Sequence, residues 1–196
     1  MGSGSYVLAA HDQRYTPLPL AILIVLWYNG AMNNTCNAQW VYNDGGRSEY
    51  FKGSTGDCVT RAIAIAAAMD YKKVYDDLYQ MSVEFGKGRS RKAKETASNP
   101  SPRMGVPREV YQPYLTEPEY GLCFDWVPMM SIGSGCQYHL SGDLGSVLER
   151  DQWAVARCSG HLVAVHRDWD DEISVFDTYD STRRGTRCVY GLYIQS

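Results

Sequence analysis

The sequence predicts an α+β domain, with N-terminal helices packed on a C-terminal antiparallel sheet. Apolar residues recur at helical spacing through the first half of the chain, from Cys58 to Leu115. Short β-rich runs separated by turn residues fill the chain from Trp153 onward. Helices first and strands last, with no internal repeat, is a plan in two layers.

The 196 residues, 44% hydrophobic and 21% charged, have globular composition and enough length for one domain with a real core. Fifteen tyrosines and five tryptophans supply half-polar aromatic surface suited to strands, pockets and interfaces. A net charge of −3 gives no whole-chain electrostatic case for nucleic acid or an anionic membrane, so no specific nucleic-acid partner is expected.

Residues 1–31 read as an extension, linker or non-native segment, and residues 32–196 as the domain. MGSGS resembles a linker scar, and PLPLAILIVLW at residues 17–27 is shorter than the roughly 20 apolar residues of a membrane-spanning helix. Arg14 before that run and Gly30-Ala31 after it fit a weak secretory signal, whereas Met32 fits a natural start. The second reading is favoured, and no transmembrane span is expected. The six cysteines (Cys36, Cys58, Cys123, Cys136, Cys158, Cys188) are widely spread in a chain large enough to need no staples. Most are then expected to be reduced thiols in a cytoplasmic protein.

Asp57 stands at the N-cap of CVTRAIAIAAAM, a buried helix rich in Ala and Ile. Asp70 caps a second helix, in which Tyr71, Val74, Tyr75, Leu78 and Met81 share one face. GKGRSRKAKETASNPSPR, residues 86–103, carries six cations and no apolar period. It reads as a solvated connection, or as a flap for an acidic partner or substrate. Pro107 suits the first turn of a short helix, VPREVYQPYL, that Pro113 should stop. Leu122 to Val127 reads as a strand, and Asp143 as a cap for DLGSVLER. WAVAR, HLVAVH, ISVFDTY and CVYGLYI then form strands separated by SG, DWDDE and STRRGT.

The hairpin between HLVAVH and ISVFDTY has a testable register. A three- or five-residue loop centred on Trp169 sets His161 opposite Asp177 on one face, with Cβ atoms about 4.5 to 5.5 Å apart. A carboxylate beside an imidazole fixes the ring tautomer and stabilises its protonated form. Cys58, in the first turn of its helix, feels the positive end of the helix dipole, and a neighbouring imidazolium lowers its pKa further. The three residues form the elements of a Cys-His-Asp relay, with Cys58 as nucleophile, His161 as proton carrier and Asp177 as orienting group. No cofactor enters this chemistry.

A cysteine opening a buried helix, a histidine beginning a strand and an aspartate on the next strand is the order of the papain-like cysteine peptidase superfamily, which the chain resembles. From about Trp40 to Tyr193, the segments YNDGG, GDCVTRAIAIA, IGSGC, SGHLVAV and FDTYDS are also similar to a group of small proteins of bacterial viruses and prophages. The resemblance implies a papain-like fold, a thiol hydrolase acting on a protein or peptide, and, for a phage-encoded protein, a place in the host cytoplasm. It matches Cys58 to the nucleophile, His161 to the general base and Asp177 to the orienting residue. It departs at Lys52, where papain-type enzymes carry a glutamine that helps hold the oxyanion. The Cys58 N–H remains as one donor, with Ser54, Thr55 and Asn43 as candidates for a second.

Other readings compete. A cysteine in an Ala-rich helix is often only a small buried hydrophobe, and Asp177 also suits the DTYDS turn. Cys136 with His139, and Cys158 with His161, are two Cys-x-x-His pairs of zinc-ligand chemistry. Three residues apart on a regular strand point to opposite faces, so the relay is preferred and no metal is expected. Two function classes follow: a peptidase, isopeptidase or amidase, or a catalytically silent module of the same fold that docks on a host protein.

Overall fold

The computed structural model describes residues 38–53, 56–120 and 122–196. The extension assigned to residues 1–31, the leader reading and Met32 lie outside the described residues, as do Cys36, Ser54 and Thr55. No helix among the described residues is long and apolar enough to cross a membrane.

The domain is mixed α+β. Strand β1 (Gln39–Tyr42) leads to helices α1 (Cys58–Ala66), α2 (Tyr71–Gly86), α3 (Arg91–Ser98) and α4 (Arg108–Thr116). Strands β2 (Phe124–Pro128), β3 (Gln152–Cys158), β4 (His161–Arg167), β5 (Ile173–Asp177) and β6 (Val189–Gln195) follow. They make one six-stranded sheet in the order β1-β5-β4-β3-β6-β2. The β1–β5 pair is parallel and every other pair antiparallel.

Strand alternation divides the core in two. On β4, Leu162 and Ala164 pack with Ile63, Val74, Leu78 and Leu115 of the helices. Val163 and Val165 face the other way, into a second cluster with Leu140, Leu144 and Leu148 from the irregular segment between β2 and β3. The expected two layers therefore gain a cover on the far face. Burial on both faces also explains why WAVAR and HLVAVH are almost continuously apolar. Each fully buried Leu or Val contributes about 1.5 to 3 kcal/mol relative to exposure.

Asp70 caps α2 as predicted, accepting the Lys73 N–H at 2.9 Å. Three local expectations are corrected. The basic stretch contains helix α3, capped by Ser90 and held by the buried Ala93. Gly86 lets it approach α2, since a Cβ there would lie 3.0 Å from the Ala97 Cα. Pro113 does not stop α4, because the buried Tyr114 and Leu115 hold its last turn in the core despite the lost N–H. Asp143 lies within a 3₁₀ turn, Gly142–Ser146, that Ser141 caps. Strand β1, an exposed edge without apolar alternation, had no sequence signal at all.

Two long-range features complete the frame. Gly191 on β6 makes room for the Trp126 indole, which a Cβ would overlap. Cys136 and Cys188 are joined in a disulfide, with Cα atoms 5.7 Å apart, while Cys58, Cys123 and Cys158 are free thiols.

Candidate active site

Cys58 is the first residue of α1, so its thiol sits where the helix presents unpaired N–H groups. Asp57 occupies the N-cap position but makes no side-chain cap bond. Its fully buried carboxylate is instead ion-paired with Arg61 one turn along and with Arg47 Nε at 2.8 Å, and it accepts the Tyr71 hydroxyl at 2.5 Å. Two guanidinium groups and a phenol replace the water that a buried carboxylate loses.

Arg61 carries this network to the sheet, where its second Nη reaches Asp177 Oδ1 at 3.2 Å. The other oxygen of Asp177 lies 2.6 Å from His161 Nε2. Both side chains are buried, at 7% and 3% exposure, so the pair is shielded from solvent screening. The Thr178 N–H donates to Asp177 Oδ1 at 2.7 Å. The Asp177 main-chain carbonyl accepts the Trp40 indole N–H at 3.1 Å and the Asn43 N–H at 3.2 Å, which is how β1 anchors the end of β5.

The hairpin register differs from the prediction by two residues. Ala164 pairs with Phe176 and Arg167 with Ile173, so the loop of residues 168–172 centres on Asp170 rather than Trp169. Asp168 tightens that loop by accepting the N–H groups of Asp170 and Glu172. Continuing the register sets Asp177 level with Val163, one diagonal step from His161. A shift of two preserves the face, and diagonal neighbours remain within reach of long side chains. Tyr179 takes the place opposite His161, with ring centroids 5.5 Å apart.

With Nε2 committed to Asp177, Nδ1 is the ring nitrogen left for Cys58. Burial alone would push the Cys58 thiol up, but the neighbouring His161 imidazole, the Leu162 backbone and the Arg61 charge together bring it below the ordinary cysteine value. Burial likewise disfavours the charged His161, yet Asp177 and the Cys58 sulfur raise its pKa above the usual imidazole value. Asp177, despite its burial, is held below the carboxylate range by His161, the Thr178 N–H and Arg61. All three shifts favour thiolate, imidazolium and carboxylate together.

Cys58 and His161 open on one cleft of about 650 Å³, between the start of α1, the segment around Gly105 and the β3–β4 turn. Asn43 is not at its wall, and its amide oxygen accepts the Gly45 N–H at 2.8 Å instead. The two Cys-x-x-His pairs do not converge. Cys136 is in the disulfide, His139 lies beside Asp143 at 3.2 Å, and His161 is held by Asp177. Among the described residues no group of three His, Cys, Asp or Glu is arranged to hold a metal ion.

Sequence reasoning missed Arg47, Arg61, Tyr71 and Tyr179. Arg61 alone left a trace, as a charge inside an otherwise apolar helix. No protein-family model matches the chain, and no curated protein or solved structure matches it either.

Proposed function

We propose that the protein is a cysteine hydrolase of papain-like type, cleaving an amide, peptide or isopeptide bond through a thioester. The observation that carries this reading is the buried 2.6 Å contact between His161 and Asp177, set beside a helix-opening thiol of lowered pKa. The Cys58 thiolate attacks the carbonyl carbon, forming a C–S bond and a tetrahedral oxyanion. The Cys58 N–H is positioned to donate to such an oxyanion at the helix start. As the C–N bond breaks, the His161 imidazolium gives its proton to the departing amine. Water then attacks the thioester while His161 takes its proton, the C–S bond breaks, and the acid leaves with Cys58 restored as thiolate. Asp177 stays ionised throughout and Arg61 holds it in place.

The rival reading is a silent binding module that docks on a host protein. Lys52, exposed where papain-type enzymes have their glutamine, favours it. The test is the alkylation rate of Cys58 by iodoacetamide from pH 4 to 10, resolved from Cys123 by peptide mass spectrometry, in wild type and His161→Ala. A thiolate appearing well below the free-cysteine pKa of about 8.5, and losing that advantage without His161, supports the hydrolase. Slow labelling indifferent to His161 supports the binding module.

A further inference from the structure

We propose that the cleft selects an anionic substrate, with Arg108 and Arg157 receiving a carboxylate carried by the peptide or amide whose carbonyl Cys58 attacks. The inference rests on the hydrolase reading above. The chain has 22 acidic and 19 basic residues, yet the cleft wall carries three arginines and His161 and neither Asp nor Glu. The cleft is therefore cationic within an acidic protein.

The three arginines divide by what they hold. Arg61 is spent on Asp57 and Asp177. Arg108, from α4, donates from Nε to Gln112 at 2.7 Å and stacks over Trp126 at 4.8 Å. Arg157, from β3, lies over the Tyr190 ring at 5.8 Å. Neither Arg108 nor Arg157 has a carboxylate partner among the described residues. Both are half-buried, and aromatic faces fix their planes, which preorganises guanidinium groups for a carboxylate. Water solvates them less well in a concave wall than on open surface, so an incoming carboxylate loses less on binding.

The same two arginines also border a second hollow, floored by Trp126, Pro128, Met130 and Ile132. They stand between Cys58 and an apolar patch. A substrate with an acidic residue near the scissile bond and an apolar residue beyond it matches that sequence of surfaces.

The test uses two peptidyl vinyl sulfones that differ only in Glu against Gln beside the electrophile. Second-order labelling of Cys58 is measured in wild type, in Arg108→Gln/Arg157→Gln and in Arg108→Lys/Arg157→Lys. Each rate is divided by the iodoacetamide rate of the same protein, which reports the thiol itself. The expected result is a preference for the Glu probe of tenfold or more, shrinking toward unity in the Gln double variant and at high salt, and retained in large part with lysines. Equal Glu and Gln rates in wild type, with iodoacetamide labelling fast and His161-dependent, would overturn the anionic selection and leave the hydrolase standing. Iodoacetamide labelling that is slow and indifferent to His161 would overturn both.

Discussion

Strand β4 carries a histidine near each end, and each histidine has an aspartate beside it. At the start, His161 meets Asp177 at 2.6 Å in a pair almost closed to water. At the other end, His166 meets Asp151 at 3.1 Å, with the carboxylate half exposed. Nearby Asp171 pairs with Arg150 and Arg167, both at 2.6 Å, and the Arg150 guanidinium holds its carboxyl down to about 2. The residue types match at both ends, but burial and a facing thiol do not. A strongly perturbed carboxylate at the exposed end marks a surface ion pair, whereas the buried end couples three titrating groups in one cleft.

The largest expected difference between the two ends is in reactivity. On the proposed hydrolase reading, His161→Ala should lower turnover by about 10³-fold or more and return Cys58 alkylation to that of an ordinary thiol. His166→Ala should leave the Cys58 alkylation rate unchanged. An equal effect of the two substitutions would break the comparison.

Stability should separate the ends next. Asp57→Ala removes a carboxylate that satisfies two buried guanidinium groups, and should cost about 3 kcal/mol by denaturant titration. Asp177→Asn should cost less, about 1 to 2 kcal/mol, because the amide still fills the space, but should slow the thiol reaction. Asp151→Ala at the other end should fall within about 0.5 kcal/mol of wild type.

A pH series sharpens the same contrast. The folded pKa of Asp177 lies below its unfolded value of 3.8. Its stabilisation is therefore full above that value and is lost as pH falls through the lower, folded pKa. His161 is shifted the other way, above 6.5, so its contribution is full below that value and fades as pH rises through the raised pKa. On the proposed reading, the rate should climb with pH as Cys58 ionises below 9.0 and decline as His161 loses its proton above 6.5. Asp177→Asn should shift the declining limb to lower pH. The smallest effect belongs to the exposed Lys92–Glu109 bridge, where Lys92→Ala should change stability by no more than about 0.5 kcal/mol.

Much of the fold was legible in local pattern. The face of Tyr71, Val74 and Leu78 announced α2, and the apolar runs after Trp153 announced the central strands within two residues. Helix α3 was not legible, since one buried alanine in eight residues makes no period. Strand β1 was not legible either, because its reason for existing is a parallel partner 135 positions along the chain, as in Gln39 with Ser174. At the site, Cys58 and His161 stood out by their places at element starts, and Asp177 by its parity with His161.

By itself, then, the sequence determined that α1, α2 and the strands from Trp153 onward form, where α1 and β4 begin, and that His161 and Asp177 share a face. Those properties depend on residues within a turn or one hairpin of each other, where period, caps and parity operate. Only the tertiary structure decided the register, the second cover of the sheet, the Cys136–Cys188 bond and the chain of charges from Arg47 through Asp57 and Arg61 to Asp177. The Arg61–Asp177 contact joins residues 116 apart, and a pairing over that distance leaves a charge in an apolar helix as its only mark, with nothing to name the partner. The cost of burying a charge enforces it, and that cost arises only once the core has closed around both.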